Sequence, residues 1–319
     1  NRLYHNNGDS TFTDVAGELG VTEPIDSLPV WFWDFNNDGA LDIYVPSFVW
    51  FTTRNTIAHI AASYMGYPLN LPLASLYRGD GRGGFEEVAQ EHNLTGLTLP
   101  MGANFGDLDN DGYLDFYLGT GYPDYEALMP NVMYHNKAGQ RFTDVTFAGG
   151  FGHLQKGHGI VFADLDHDGD QDIFEQMGGA YQGDKYYDAL FENPGFGNQW
   201  ITIKLVGVRS NRSAIGARIR LEVIEEGQRR SIYKHVNSGG SFGANPLRQT
   251  IGLGQASKIE LLEIYWPTTD LTQQFTDVAP KQFIEVVEDK SMYTSRSLKS
   301  FTFPRTRDNQ PVARSDARP

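Results

Sequence analysis

Three copies of one short acidic loop constrain this chain more than any other feature. Each copy spans nine residues, with oxygen-bearing side chains at positions 1, 3, 5 and 9 and a glycine at position 6. So many carboxylates in so short a segment repel one another unless a cation lies among them. The side chains are Asp34, Asn36, Asp38 and Asp42 in loop 1, Asp107, Asp109, Asp111 and Asp115 in loop 2, and Asp164, Asp166, Asp168 and Asp172 in loop 3.

The spacing predicts a Ca²⁺ site in each loop. Glycine permits the sharp turn that brings the later ligands back, and the backbone carbonyl at position 7 is the expected further ligand. The position-7 residues are Ala40, Tyr113 and Asp170. Ca²⁺ accepts about six to eight oxygens in a flexible shell, whereas Mg²⁺ requires a stricter octahedron. We therefore expect three bound Ca²⁺ ions and a stability that depends on calcium.

Loop 3 also fits the EF-hand pattern, because Glu175 stands at position 12 of the loop. An EF-hand requires a helix on each side of the loop. The segments 157–163 and 172–179 are short and β-rich or broken by glycine, and the other two loops carry Val45 and Leu118 at position 12. We interpret the EF-hand match as accidental.

The acidic loops belong to a longer repeat. One motif, Leu-Tyr-His-Asn in its first copy, begins at Leu3, Leu76, Met133 and Leu190. Nine residues after each of the first three starts, a phenylalanine opens a second motif that ends in valine. Short aromatic and β-branched segments that repeat with glycine turns are typical of propeller blades. Since each acidic loop lies between two apolar segments, its metal would join two strands of one blade.

These features resemble known families. The loops are similar to the FG-GAP or VCBS repeats of calcium-binding β-propellers. From residue 197 to about 289, the chain resembles the ASPIC/UnbV domain that follows such propellers in bacterial relatives of cartilage acidic protein. That second resemblance rests on residues 198–207, 210–218, 238–241 and 252–254 and on Trp266-Pro267. It implies a secreted or periplasmic β-propeller with a β-sandwich-like appendage, and it specifies architecture more than activity.

The expected fold class is all-β, with FG-GAP/VCBS-type β-propeller blades followed by a small β-sandwich-like domain. We expect blades over residues 1–196, the ASPIC/UnbV domain over 197–289, and a basic extended tail over 290–319. In the second domain, apolar and polar residues alternate, as in strands with one buried face. The strands expected from this pattern are 200–206, 217–224, 231–236, 261–266 and 283–287.

A helical insertion is expected within residues 46–75. Ile57, Ile60, Ala61, Tyr64 and Met65 follow the spacing of one helix face, and a glycine and a proline follow. We interpret this helix as packing over one mouth of the propeller; the alternative is a lid or docking element.

A second interruption surrounds loop 3 and supplies the candidate catalytic residues. His153 and His158 precede the loop, and Glu175 and Asp184 follow it. Two histidines, a lysine (Lys156) and two carboxylates near a glycine-rich turn suit a second metal site or an acid/base pair. The other interpretation is that these histidines bond to the backbone. We recognise no nucleophile elbow, P-loop or dinucleotide fingerprint in the sequence.

Composition limits the partners. The 319 residues carry a net charge of −14, which argues against nucleic acid or an anionic membrane surface as the main partner. The sequence contains no cysteine, and it has no apolar run long enough to span a membrane. We expect a bacterial protein that is secreted, periplasmic or on the cell surface.

The leading functional hypothesis is a calcium-stabilised recognition or assembly module that binds protein or, alternatively, a glycan. The competing hypothesis is an enzyme that acts on a polysaccharide or secondary metabolite. The repeat motifs amount to three units and the start of a fourth, so we expect further blades from another segment or polypeptide. The tail from Lys290 onward carries seven basic residues, and we expect it to contact a partner. The alternative interpretation is that the tail lies along the protein's own surface.

Overall fold

The computed structural model describes residues 1–50, 53–124, 128–179 and 181–304. Its first part contains short strands and one helix, α1 (Thr53–Tyr64). The strands are β1 (Tyr4–Asn6), β2 (Phe12–Asp14), β3 (Trp31–Trp33), β4 (Asp42–Val45), β5 (Ser75–Gly79), β6 (Phe85–Glu87), β7 (Pro100–Gly106), β8 (Asp115–Thr120), β9 (Val132–Asn136), β10 (Phe142–Asp144), β11 (Gly157–Ala163), β12 (Asp172–Met177) and β13 (Ala189–Phe191).

These strands form antiparallel meanders, each strand pairing with the next along the chain. We call β3–β6 blade 1, β7–β10 blade 2 and β11–β13 blade 3, and β1 and β2 form a separate hairpin. Blades 1 and 2 have four strands each, and blade 3 has three among the described residues. The predicted all-β propeller architecture is confirmed.

The sequence repeat is offset from the structural blade by two strands. The motifs that begin at Leu76, Met133 and Leu190 form the third strand of blades 1, 2 and 3. The motif at Leu190 therefore completes the third strand of blade 3 and does not open a fourth blade. Each acidic loop connects two strands of one blade, as predicted, and these are the first and second strands of that blade. Loop 3 lies between β11 and β12, so its flanks are strands and not the helices of an EF-hand.

Aromatic packing joins blade 1 to blade 2. Phe142, from the outer strand of blade 2, stacks on Trp33 of blade 1 with ring centroids 5.7 Å apart. The same hydrogen bond recurs between successive blades: Asn136 donates to the Phe35 carbonyl at 2.8 Å, and Asn193 donates to the Leu108 carbonyl at 2.7 Å. Such repeated contacts fix the spacing of the blades.

The second part of the chain is a two-sheet sandwich. Its strands are β14 (Gln199–Val206), β15 (Arg218–Glu225), β16 (Gln228–His235), β17 (Gln249–Gly254), β18 (Lys258–Trp266), β19 (Leu271–Val278), β20 (Phe283–Val287) and β21 (Thr294–Arg296). One sheet has the order β17-β14-β20-β21 and the other β16-β15-β18-β19. Apolar side chains from both sheets form one buried core. All five predicted strands are present, whereas β17, β19 and β21 were not predicted.

Helix α1 is present as predicted, but only one of the five residues predicted to form its apolar stripe is buried. Ile60 is buried against a cluster that contains Phe48 and Leu99, whereas Ile57, Tyr64 and Met65 are exposed. The helix thus packs through Ile60, one of the five residues predicted to form the stripe. Among the described residues, no helix is long and apolar enough to cross a membrane.

The first part of the tail lies on the protein itself. Strand β21 pairs with β20, and the Phe301 N–H donates to the Asp166 carbonyl of loop 3 at 3.0 Å. Residues 305–319, which carry four of the seven predicted basic residues, lie outside the described residues. The expected partner contact of the tail therefore remains a prediction.

Candidate metal centres

The aspartate at position 9 is buried in each loop and holds it closed. Its two carboxylate oxygens accept one N–H from loop position 2 and one from the third strand or its end. These donors lie 2.7 to 3.1 Å from the carboxylates. The pairs of donors are Phe35 and Gly79 for Asp42, Leu108 and Asn136 for Asp115, and Leu165 and Asn193 for Asp172.

Four buried carboxylate oxygens of loops 2 and 3 lack hydrogen-bond partners among the described residues. Asp107 Oδ1, both oxygens of Asp164, and Asp166 Oδ1 have no hydrogen-bond partner among the described residues. A buried, unpaired carboxylate oxygen is costly, and a coordinated cation removes that cost. These atoms belong to positions 1 and 3 of the predicted calcium loops, so the residues present fit Ca²⁺.

The potential ligands also converge in space. Ligand atoms lie within 4.8 Å of one another in three groups of the described part of the chain. The groups are Asp109, Asp111 and His135; Asp107, Asp109 and Asp115; and Asp164, Asp166 and Asp168. Loop 1 carries an amide at position 3, and Asn36 donates to Asp38 Oδ2 at 2.8 Å.

Burial, reinforced by neighbouring carboxylates, disfavours the ionised form of these acids. Burial raises the pKa of Asp107 to about 8, that of Asp42 to about 7 and that of Asp34 to about 6. It also raises the pKa values of Asp164 and Asp166. A bound divalent ion opposes this effect, because it favours the charged carboxylates.

His135 is a potential ligand that the sequence analysis missed. Its Nε2 lies 2.9 Å from Asp109 Oδ2 and 4.0 Å from Asp115 Oδ1. The residue belongs to the third strand of blade 2, outside the nine-residue loop. Blade 1 carries Arg78 at the equivalent position, so the repeat alone did not indicate a ligand there.

The three loops lie side by side. At position 4, Asn37 of loop 1 donates to the Gly112 carbonyl of loop 2 at 2.9 Å, and Asn110 of loop 2 donates to the Gly169 carbonyl of loop 3 at 3.1 Å. Both asparagines have positive φ, a conformation that asparagine tolerates better than most residues. Each position-4 amide thus reaches the position-6 glycine of the next loop.

The sandwich packs on the face of the propeller that carries the acidic loops, directly over these loops. The Gly252 N–H donates to Asp107 Oδ2 at 3.1 Å. Three basic side chains of the sandwich donate to carbonyl oxygens at or next to the loops. These contacts are Arg230 Nη1 to Asp111 O at 2.9 Å, Lys234 Nζ to Gly112 O at 2.9 Å, and Arg248 Nη2 to Asp164 O at 2.7 Å. The second domain therefore forms one wall of the candidate metal centres.

The glycine-rich turn at residues 238–241 belongs to this interface. The Gly240 N–H donates to Asn104 Oδ1 at 2.8 Å, and the Ser241 N–H donates to the Ala103 carbonyl at 2.7 Å. The turn uses these amides to contact blade 2.

The four candidate catalytic residues have separate local partners. Glu175 is buried and accepts a hydrogen bond from the Tyr117 hydroxyl at 3.0 Å, and burial raises its pKa to about 8. Asp184 forms a buried ion pair with Lys156 at 2.8 Å. His153 Nδ1 accepts the Gln155 N–H at 3.0 Å.

His158 lies on the first strand of blade 3. Its Nδ1 is buried without a hydrogen-bond partner among the described residues, and burial lowers its pKa. Within the described part of the chain, these four residues form no group of three potential metal ligands. The Asp184 carboxylate is instead neutralised by a lysine.

Comparison with known families agrees with this architecture. Residues 60–118, which include loop 2, match the FG-GAP-like repeat, and residues 207–292 match the family described as ASPIC and UnbV. The chain is an FG-GAP propeller with a UnbV domain. No match was found among curated proteins. The UnbV match contains Arg230, Lys234 and Arg248, so the residues that cover the acidic loops belong to this domain.

Proposed function

We propose that this FG-GAP and UnbV protein is a calcium-stabilised recognition module that acts outside the cytoplasm. The single observation that carries the calcium assignment is the set of buried, unpaired oxygens on Asp107, Asp164 and Asp166. Recognition is favoured because the described site residues assemble stabilising loops and an interdomain wall. Binding modules outside cells tolerate weak calcium sites, since calcium is abundant there.

In this proposal, calcium joins the propeller to the UnbV domain. The ion would neutralise the position-1 carboxylate of each loop and the position-3 carboxylates of loops 2 and 3, while Arg230, Lys234 and Arg248 hold the loop carbonyls. The loops would then be rigid on the side that faces the second domain. A rigid scaffold of this kind leaves the blade edges available for recognition.

Calcium dependence is tested by melting the protein with calcium and with a chelator. A site filled at a hundred times its dissociation constant adds about 2.7 kcal/mol of stability. Three sites should therefore raise the melting temperature clearly, and equilibrium dialysis should find three Ca²⁺ per chain. Identical melting curves in both buffers would contradict the assignment.

Asp164→Asn gives a sharper test, because its effects in the two buffers have opposite signs. The substitution removes a buried charge, so the chelated variant should be as stable as the parent or more so. In calcium the variant should be less stable and should bind two ions. Asp277→Asn is the matched control, because the Asp277 side chain is 79% exposed and lies on β19, an edge strand of the sheet whose opposite edge is β16. It should change neither the melting temperature nor the stoichiometry.

A further inference from the structure

Loop 2 differs from the other two loops by a histidine that approaches it from outside the nine-residue motif. His135 Nε2 lies 2.9 Å from Asp109 Oδ2, and the two side chains are 16% and 21% exposed, so an ion can reach them from solvent. Asp111 completes a group with these two residues, in which the three potential ligand atoms lie within 4.8 Å of one another. The group offers two carboxylates and one imidazole nitrogen to a single ion.

One of these carboxylates also belongs to the buried part of the loop. Asp109 is common to this group and to the group that contains Asp107 and Asp115. Asp107 is 1% exposed, and its Oδ1 has no hydrogen-bond partner among the described residues. A buried, unpaired oxygen beside the shared carboxylate is a separate sign that a cation belongs in this loop. An ion in loop 2 can therefore use oxygen ligands alone or oxygen ligands together with nitrogen.

The spacing of the ligand atoms suits a small divalent ion. Zn²⁺ binds imidazole nitrogen and carboxylate oxygen at about 2.0 to 2.2 Å. Two ligands on such an ion, at the angles of an octahedron or a tetrahedron, lie about 3.0 to 3.4 Å apart. The His135 nitrogen and the Asp109 oxygen are separated by 2.9 Å, close to that value. Ca²⁺ takes oxygen ligands at longer distances, so an imidazole adds little to a calcium site.

The equivalent residues of the other blades cannot supply this nitrogen. Blade 1 carries Arg78, whose guanidinium stays charged and pairs with Glu86 at 2.5 Å. Loop 1 also has an amide, Asn36, where loop 2 has Asp109. Blade 3 carries Glu192, which offers only oxygen. Among the described residues, loop 2 is thus the one acidic loop that combines two carboxylates with an imidazole.

We propose that loop 2 is a site for a divalent transition-metal ion of the Zn²⁺ class, bound by His135, Asp109 and Asp111. Imidazole is a preferred ligand of such ions, and they bind mixed nitrogen and oxygen sites more tightly than Ca²⁺ does. The ion takes two carboxylates that calcium would otherwise use, so it displaces Ca²⁺ from loop 2 and leaves loops 1 and 3 to calcium. His135 is the residue that determines which metal loop 2 selects.

This inference rests on the proposed calcium-stabilised function and adds a choice of metal to it. Loop 2 accepts several hydrogen bonds from the second part of the chain, so its ion lies where the two domains meet. These bonds run from Asn198 to the Asp109 carbonyl at 2.7 Å, from Arg230 to the Asp111 carbonyl at 2.9 Å, from Lys234 to the Gly112 carbonyl at 2.9 Å, and from the Gly252 N–H to Asp107 Oδ2 at 3.1 Å. A change of ion in loop 2 therefore acts on the loop that the UnbV domain contacts most.

Equilibrium dialysis of the untagged chain in saturating Ca²⁺, with one equivalent of Zn²⁺ as the probe, tests the exchange. Calcium alone should give three bound Ca²⁺ per chain. With zinc present, the parent should bind one Zn²⁺ and retain two Ca²⁺. Retention of three Ca²⁺ with no bound zinc would overturn the proposal. Zinc that binds without releasing calcium would contradict the shared carboxylates and overturn it as well.

His135→Gln removes the nitrogen ligand and keeps a polar side chain. The variant should bind Zn²⁺ about tenfold more weakly or worse, since even the outer partners of a metal ligand contribute that much. In calcium alone it should still bind three Ca²⁺ and melt as the parent does. His5→Gln is the matched control, because His5 holds the same motif position in the β1–β2 hairpin, is exposed and belongs to none of the ligand groups found in the described residues. It should change neither metal.

Nitrogen ligation is read directly in the parent by NMR of protein labelled with ¹⁵N-histidine. Zn²⁺ should shift the Nε2 resonance of one of the eight histidines, and that resonance should be the one missing from His135→Gln. If no histidine resonance responds to zinc in the parent, the proposal is wrong, whether or not the variant folds.

The remaining outcomes separate this inference from the calcium proposal. Equal losses of Zn²⁺ and Ca²⁺ affinity in His135→Gln would overturn the inference, because the histidine would then only orient Asp109. Three bound Ca²⁺ without any zinc response would also overturn it and leave the calcium proposal standing. Zinc bound through His135 in a chain that binds no calcium would have the opposite meaning.

Discussion

Lys234 of the UnbV domain donates a hydrogen bond from Nζ to the Gly112 carbonyl of loop 2, at 2.9 Å. The ammonium is buried next to three loop carboxylates, those of Asp107, Asp34 and Asp111. Burial lowers the pKa of Lys234, while the three carboxylates favour its charged form. Lys234 is thus one of three basic side chains that join the two domains, and it lies among the carboxylates of loops 1 and 2.

We expect Lys234→Met to destabilise the protein, and more strongly in chelator than in calcium. Removing one partner of a buried charge cluster costs about 3 to 5 kcal/mol, because the remaining charges stay buried without compensation. Bound calcium would supply part of that compensation. Urea unfolding in the two buffers measures the difference.

Lys204→Met is the control, because Lys204 forms an exposed ion pair with Glu285 at 3.1 Å. An exposed pair contributes about 1 kcal/mol or less. If the two variants lose the same stability in chelator, Lys234 does not neutralise the loops.

The sequence predicted local features well because they depend on local patterns. The acidic loops and strand β20 follow directly from residue spacing. Contacts between the domains could not be predicted in the same way, because Lys234 and Gly112 are far apart in the chain. Strand β17 was missed because Gly252 and Gly254 suggest a turn. In the structure, a Cβ on Gly252 would collide with the backbone of Asn110. This glycine therefore marks a close approach of two backbone segments, β17 and loop 2.

The helix shows a different limit. The spacing of Ile57 and Ile60 predicts one buried helix face, yet of these two residues only Ile60 is buried. The apolar cluster that contains Phe48 and Leu99 contacts the helix at Ile60 and leaves Ile57 exposed. Periodicity indicates that a helix forms, whereas the shape of the surface beneath decides which residues it buries. The place of β13 in blade 3 was missed for a similar reason, since the Leu190 motif appeared to start a new unit.

The chelated protein should become less stable as the pH rises from about 5 to 8. The folded-state pKa values of Asp34, Asp42 and Asp107 are raised to between about 6 and 8. A raised carboxyl pKa contributes stability at pH values below the unfolded pKa, and this contribution is lost as the pH rises through the folded pKa. Calcium should remove this dependence, because the ion stabilises the charged carboxylates. Melting temperatures across this pH range, with and without calcium, test both statements. A flat profile in chelator would contradict the burial of these charges.

Gly169→Ala should be far more destabilising than a glycine substitution in an exposed turn. Gly169 has φ +98°, and a Cβ at this position would collide with the Trp200 ring of β14. Gly227 has φ +80° and nothing within 4 Å of a built Cβ, so Gly227→Ala measures the backbone strain alone. That strain amounts to about 1 kcal/mol. The excess loss in Gly169→Ala then reports the contact between loop 3 and the UnbV domain, and equal losses in thermal melts would exclude a tight contact there.

Glu288 stabilises the UnbV domain by holding the turn at residues 208–210. Its Oε2 accepts three backbone N–H groups, from Val208, Arg209 and Ser210, at 2.7 to 2.8 Å. Burial raises the pKa of Glu288, but the hydrogen bonds to the carboxylate outweigh this effect and lower the pKa to about 2. A depressed carboxyl pKa contributes stability above the unfolded value of 4.5, and that stability is lost as the pH falls towards 2.

Glu288→Gln should therefore cost about 2 kcal/mol at pH 7, since bonds to a charged acceptor are stronger than bonds to an amide. The difference between parent and variant should shrink as the pH falls from about 5 to 2. Glu226→Gln, in the exposed turn between β15 and β16, is the matched control and should change little at any pH. Urea unfolding followed by tryptophan fluorescence measures all three proteins. A difference that stays constant down to pH 2 would show that shape, and not the charge of Glu288, holds the turn.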